Sequence, residues 1–487
     1  MITTLCLAFA LQAGSLEDAL ADAEKLGAQG QFAAAVSTLE DAGVTDSTDA
    51  MAWLAYATWS TRALENDLAA GRLGGLEVVD AFTDVAWMLE KASGFDGAPV
   101  QVWVDWSEAL LNANDLRNSL KVLEDGLDAH ANAAPLFEQR GRVQMARARN
   151  AAGNGDAEEA TKLQDAAEAS FRKAIAAAPE TASPRMRLAE LLWTRYVEGG
   201  GESASLKRDA IASWTAAAKE DAAGVDPGMV YNWLGTESVP VFDQLIEAQP
   251  DQVLHYWYRG SAFYALGPDQ WPGLRDDFLK VLELNPEFTN AYYFLADGAM
   301  RRGTQQSQAG DQETAEKAYR ASAGFWARYL EGFGDQYRMQ VKQGEDGGRA
   351  AAENMNWLAG KTSFADGVVL LRWAVGTVPD YADAWNNLAY FLRETRQPEA
   401  ARDAYARAFE LKPDDPTVMN DYAVVLHYYL QERMDFAEEL YVKAAARAEA
   451  MLEANEFDDE AHRSRIQIAL RDSRNNLRRI QAGEITQ

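Results

Sequence analysis

At 487 residues the chain is too long for one ordinary globular core, whereas a stack of repeating units grows without such a ceiling. Its 46 Lys and Arg against 75 Asp and Glu give a formal charge of −29, which keeps the chain soluble and repels nucleic acid and anionic membrane surfaces. A hydrophobic content of 48%, with many Ala, Leu and aromatic residues, excludes global disorder and fits an all-helical chain.

Residues 1–14, MITTLCLAFALQAG, hold an apolar run of signal-peptide length, followed by small residues and the charged SLEDAL; the run is too short to span a membrane. It is expected to be an export signal cleaved near Ala13 or Gly14. That places the protein in the periplasm or outside the cell, with no stable membrane insertion after cleavage. No Lys or Arg precedes the run, so a second reading stays open: a first buried helix, retained in a cytoplasmic protein. Cys6, the one cysteine, lacks the small residues before it that a bacterial lipid-attachment site needs. After cleavage no disulfide can form, and packing alone must hold the fold.

Residues 15–455 read as about eleven helical hairpins, each with two apolar faces turned toward one another. The first sets Ala23, Leu26 and Gly30 against Ala35 and Leu39, and the second sets Trp53 and Ala57 against Ala81, Val85 and Leu89. The third runs unbroken from Val100 to Ala133 with Trp103, Trp106, Leu110, Ser119, Leu123 and Gly126. The fourth holds Phe137, Gly141, Ala167, Phe171 and Ala174, and the fifth Leu188, Ala189, Leu192, Ala210, Trp214 and Ala217. The sixth is short, with Trp233, Gly235, Phe242 and Leu245; the seventh, HYWYRGSAFYALG, precedes Phe278 and Val281. The eighth has Tyr292, Leu295, Ala296 and Gly303, then Ala315 and Tyr319. Residues 331–350 break the pattern and are expected to be a flexible joint, after which Leu358, Leu371 and Ala374 mark a divergent ninth hairpin. Insertions fall between the two helices of a hairpin, where ~3.6 residues add a turn to either one; VEGGGESASLK is an expected exposed turn.

The tenth hairpin, 382–413, is the most regular. Trp385, Leu388, Ala389 and Leu392 share one face of its first helix, Ala401, Tyr405 and Ala408 one face of its second, and Pro413 stops it. This unit resembles the tetratricopeptide repeat, which places Trp, Leu-Gly/Ala, Tyr/Leu, Ala, Phe/Tyr, Ala and Pro at such offsets. The resemblance implies an all-α fold, a right-handed superhelical solenoid of such hairpins. The eleventh carries Met419, Tyr422, Ala423 and Leu426, then Ala437, Tyr441 and Ala444. Residues 456–487 read as an amphipathic helix and tail, with Ile466, Ile468, Leu470, Leu477 and Ile480 covering the last hairpin.

Nothing in the sequence points to catalysis. The four histidines, His130, His255, His427 and His462, do not pair at the spacing that puts two metal ligands on one helix face. No phosphate-binding loop or nucleophile motif is found, and adjacent carboxylates such as Asp414 and Asp415 read as a solvated face. A non-enzymatic protein needing no cofactor or metal is expected.

In the resembled family the first helix of each hairpin lines a concave groove. Carried over by position, its contacts are Asn232 and Trp233, then Trp257, Tyr258 and Tyr264, then Asn290, Tyr293, Phe294 and Asp297. They continue with Asn386, Asn387, Tyr390 and Arg393, then Asn420, Asp421 and His427. Asn at such positions resembles the family's clamps on an extended peptide backbone, while the paired Lys and Arg of a carboxylate clamp are missing. The aromatic residues can equally pack between hairpins. The expected function is a scaffold or adaptor that binds an extended segment of a protein partner in the bacterial cell envelope. Alternatives are carbohydrate handling by stacked aromatic rings and a cytosolic regulatory subunit.

Overall fold

The computed structural model describes residues 15–342 and 346–485; the expected export signal and Cys6 lie outside them. The chain is all-α and divides into two compact units, one up to Pro250 and one from Asp251. The first holds six helix pairs. These are α1 (Leu16–Ala28) with α2 (Phe32–Asp41), α3 (Ala50–Ala69) with α4 (Leu76–Ser93), and α5 (Val100–Asn112) with α6 (Leu116–Ala129). There follow α7 (Ala134–Gly153) with α8 (Ala157–Ala177), α9 (Ser183–Glu198) with α10 (Ala204–Glu220), and α11 (Pro227–Leu234) with α12 (Val239–Ala248).

The second unit continues with α13 (Val253–Leu266) and α14 (Trp271–Leu284), α15 (Ala291–Gln308) and α16 (Gln312–Val341), and α17 (Gly347–Ala359) and α18 (Phe364–Thr377). Next come α19 (Ala382–Glu394) with α20 (Pro398–Leu411), and α21 (Pro416–Val424) with α22 (Met434–Ala454). A π-helical stretch, Val425–Leu430, prolongs α21, and α23 (Glu460–Gln481) ends the helical series. No helix among the described residues is long and apolar enough to cross a membrane.

Local chemistry explains where these helices start. Asp49, Asp115, Asp156, Asp311 and Asp459 each accept a hydrogen bond from a first-turn amide, satisfying donors that have no intrahelical partner. Within a pair, small residues admit large ones. A Cβ on Gly303 of α15 would lie 2.5 Å from the Tyr319 ring of α16, so that ring can pack flat on the neighbouring backbone only because position 303 has no side chain. In the tenth pair Leu388, Ala401 and Tyr405 are buried, and half-buried Trp385 donates from its indole N–H to the Pro379 carbonyl at 3.0 Å. Some of the polar groups inside are tied between the two helices of a pair. Ser107 of α5 meets Ser119 of α6 at 2.8 Å, and Arg259 of α13 grips buried Asp277 of α14 at 2.9 and 2.6 Å.

Extra residues appear as added turns: α7 and α8 have 20 and 21 residues where α5 and α6 have 13 and 14. The expected exposed turn falls between α9 and α10, with Gly200 and Gly201 at φ of 76° and 75°. The stretch expected as a joint is helix as far as Val341, because α16 runs for 30 residues. At the end of the second unit α23 buries Ile466, Ala469, Ser473 and Ile480, whereas Ile468, expected to pack with them, faces solvent.

Candidate partner-binding surface

The two groups of expected groove residues in the second unit have opposite fates. In α13 and α15 most of them are half-buried against other side chains of the chain. The Trp257 ring sits among Phe278, Phe288 and Phe294, with centroids 5.3, 4.7 and 5.3 Å away, and Phe294 stacks on Phe278 at 5.2 Å. The Tyr264 hydroxyl donates to Asp297 at 2.7 Å and accepts from Arg301 at 2.7 Å. Arg301 also pairs with Asp297 at 2.6 Å and lies 4.4 Å from the Tyr264 ring. Burial and the Asp297 carboxylate hold the Tyr264 phenol well above its ordinary pKa. Tyr258 is half-buried and Asn290 is exposed.

Tyr293 is covered by the far end of α16: Trp326, Tyr329 and Tyr337 approach it at 5.6, 5.6 and 6.4 Å. Burial beside these groups pushes the Tyr337 phenol up to about 12. The Trp373 indole N–H of α18 donates to the Gly334 carbonyl at 2.7 Å and fastens this end of α16. The covering side chains were not read from the sequence. The available signal was the spacing of Trp326, Tyr329, Phe333 and Tyr337, which keeps one helix face apolar through Gly332 and Gly334.

Along α18, α19 and the π-helical stretch the surface is open. Phe364, Tyr390, Arg393 and Tyr429 form a row: the Phe364 and Tyr390 rings are 5.8 Å apart, and the Arg393 guanidinium is 4.9 Å from Tyr390 and 5.7 Å from Tyr429. The three rings remain 42%, 37% and 43% exposed. Arg393 also donates twice to one Glu394 oxygen, at 3.1 and 2.9 Å. Beneath the row lie the fully buried Tyr405 and the Asp421 carboxyl, which burial pushes up to about 6 against the opposing pull of Asn420 and Arg393. The Tyr405 hydroxyl and Asn386 Oδ1 are buried without a hydrogen-bond partner. Asn387 donates to Asn356 of α17 at 2.9 Å, and Asn356 to the Tyr381 hydroxyl at 3.1 Å. Phe364 and Tyr429 belong to this surface but were not among the expected contacts.

Asn420 turns toward α23 and His427 toward the segment that follows it. Asn420 Oδ1 accepts from Ser473 at 3.2 Å and from Asn476 at 3.4 Å. His427 Nε2 donates to the Glu484 carbonyl at 2.6 Å, its ring stacks on Tyr428 at 3.9 Å, and burial lowers its pKa.

In the first unit Asn232 and Trp233 are exposed on α11, which has only eight residues. A depression of about 390 Å³ between α3, α4 and α5 has a floor of Ala57, Phe82, Leu89 and Ala109 and a rim that includes Glu65, Asp105 and Glu108. It too was missed, since carboxylates carry little signal in so acidic a chain.

Residues 382–425, covering α19, α20 and α21, match the tetratricopeptide repeat family. The family's build therefore holds for this hairpin, and the other pairs of the chain repeat its plan of two facing helices. No curated protein is detectably similar. Solved structures found similar include an anaphase-promoting-complex hetero-tetramer, Cut9-Hcn1, at 13% identity over 95% of this chain and 97% of that one, with a TM-score of 0.24. An IFIT1 monomeric mutant with Gppp-AAAA is 14% identical over 82% and 91%, with a TM-score of 0.24. Yeast Tom70 is 14% identical over 95% and 96%, with a TM-score of 0.22. Similarity at that level assigns no function.

Proposed function

We propose that the protein is a non-enzymatic adaptor that holds an extended segment of a partner protein along the second unit. The observation that carries this reading is the row Phe364–Tyr390–Arg393–Tyr429. Three open aromatic rings and a guanidinium, drawn from successive hairpins, make one continuous surface. Tyr and Arg are enriched among the side chains that anchor protein interfaces. Trp257 and Tyr293, which would have supported carbohydrate stacking, are packed among other rings of the chain. The adaptor works in the cell envelope, a location supported by the apolar run of residues 1–14.

A photo-crosslinking amino acid placed at Tyr390 or Tyr429 in the native host tests the adaptor reading. Discrete protein crosslinks are expected there and not at Leu76, a solvent-facing position of the first unit. No crosslink at either tyrosine would refute it. N-terminal sequencing of protein from fractionated cells checks the location: a chain beginning near Ser15 in the envelope fraction is expected, and an intact Met1 in the cytosol would contradict it.

A further inference from the structure

In a chain of formal charge −29, α23 reverses the sign. It carries Arg463, Arg465, Arg471, Arg474, Arg478 and Arg479 against Glu460 and Asp472, and contains no lysine. Arg471, Arg474 and Arg478 are exposed and fall at i, i+3 and i+7, on one stripe of the helix. They line a depression of about 400 Å³, with Leu452 of α22 and Leu470 supplying an apolar patch between them. The buried contacts of α23 are made by Ile466, Ala469, Ser473 and Ile480, so this arginine face is not what fixes the helix to its unit. Only Arg474 ties back across to α22, pairing with Glu449 at 2.6 Å. Arg471 meets its neighbour Asp472, and Arg478 bonds to the Asn475 amide oxygen.

We propose that this face of α23 is a docking site for a short acidic peptide segment that carries an apolar side chain. A guanidinium offers a planar fork of donors matched to a carboxylate, which a lysine ammonium does not. Three such forks on one stripe meet carboxylates spaced along a peptide, and Leu452 and Leu470 receive the apolar group. The charge of the whole chain selects length. A long polyanion such as nucleic acid, or an anionic membrane, meets the acidic body beyond α23 and is repelled, whereas a short segment stays within reach of the arginines. The site is separate from the row at Tyr390 and stands or falls independently of it.

The test is fluorescence anisotropy of the full chain with a labelled twelve-residue peptide of Glu, Asp and Leu. Saturable binding is expected, weakened roughly tenfold or more by R471E with R478E and several-fold by raising the salt from low to physiological levels or above. Arg471→Gln with Arg478→Gln gives an intermediate loss, and Tyr390→Ala with Tyr429→Ala leaves the affinity unchanged. Melting curves confirm that the variants are folded, as substitutions at exposed positions predict. Equal affinity in wild type and charge-reversal variant would overturn the proposal, as would equal binding of a peptide with Gln and Asn in place of the acids. Sedimentation showing that these arginines instead hold two copies of the chain together would also overturn it.

Discussion

Tyr293 of α15 and Tyr390 of α19 both stand on the first helix of their hairpins, one turn apart in repeat register, yet one is half-buried among other rings and the other more open. The difference lies in the helix that follows. After α15 comes α16, with 30 residues, and the rings that cover Tyr293 belong to Trp326, Tyr329 and Tyr337, all beyond its fourteenth residue. After α19 comes α20, which stops at 14 residues and has nothing to lay over Tyr390. The long second helix of the eighth hairpin thus covers a tyrosine of its first helix, which the short second helix of the tenth does not do.

The largest expected effect separates the two regions by stability. Trp326→Ala removes a ring that is 5% exposed and is predicted to cost about 3–5 kcal/mol in denaturant unfolding. His427→Ala loses the Glu484 bond and the Tyr428 stack, at a predicted cost of about 1–3 kcal/mol. Because burial lowers the folded-state pKa of His427 below 6.5, the unfolded chain binds the extra proton first. Its contribution is complete above pH 6.5 and is lost as the pH falls below it, and a pH series of melts on wild type and variant should show this.

Asp421 titrates with the opposite sense. Its folded carboxyl, at about 6 against an ordinary 3.8, keeps a proton that the unfolded chain has released. The wild type therefore loses stability as the pH rises from about 4 to about 6. Asp421→Asn is predicted to remove that slope and to be more stable at neutral pH, by on the order of 1 kcal/mol. The smallest change is expected from Tyr390→Ala with Tyr429→Ala, which should alter stability by less than about 0.5 kcal/mol while abolishing partner capture. A loss from this pair as large as that from Trp326→Ala would erase the contrast between the regions.

The hairpins were legible because their chemistry is local. Leu388, Ala401 and Tyr405 pack as their 3.6-residue spacing implies. What was not legible depends on distance or on misleading composition. Gly332 and Gly334 with polar neighbours read as a break, since each glycine costs about 1 kcal/mol in a helix relative to alanine. Contacts with Trp373 and the Tyr293 cluster hold α16 helical all the same. Asn420 and His427 looked like groove residues until Ser473 of α23 and Glu484 just after it, more than 50 positions away, claimed them. Of the expected contacts, Asn232, Trp233, Asn290, Tyr390 and Arg393 remain at or near an open surface, and Phe364 and Tyr429 joined the row through geometry that no spacing encodes.

Hydroxyl-radical footprinting tests the central contrast most directly, because oxidation of a tyrosine ring follows its exposure. Tyr390 and Tyr429 should oxidise rapidly in the free protein and become protected when the crosslinked partner is added, while Tyr293 stays slow in both states. Oxidation of Tyr293 as fast as that of Tyr390, or rings at 390 and 429 that the partner leaves unprotected, would contradict the account.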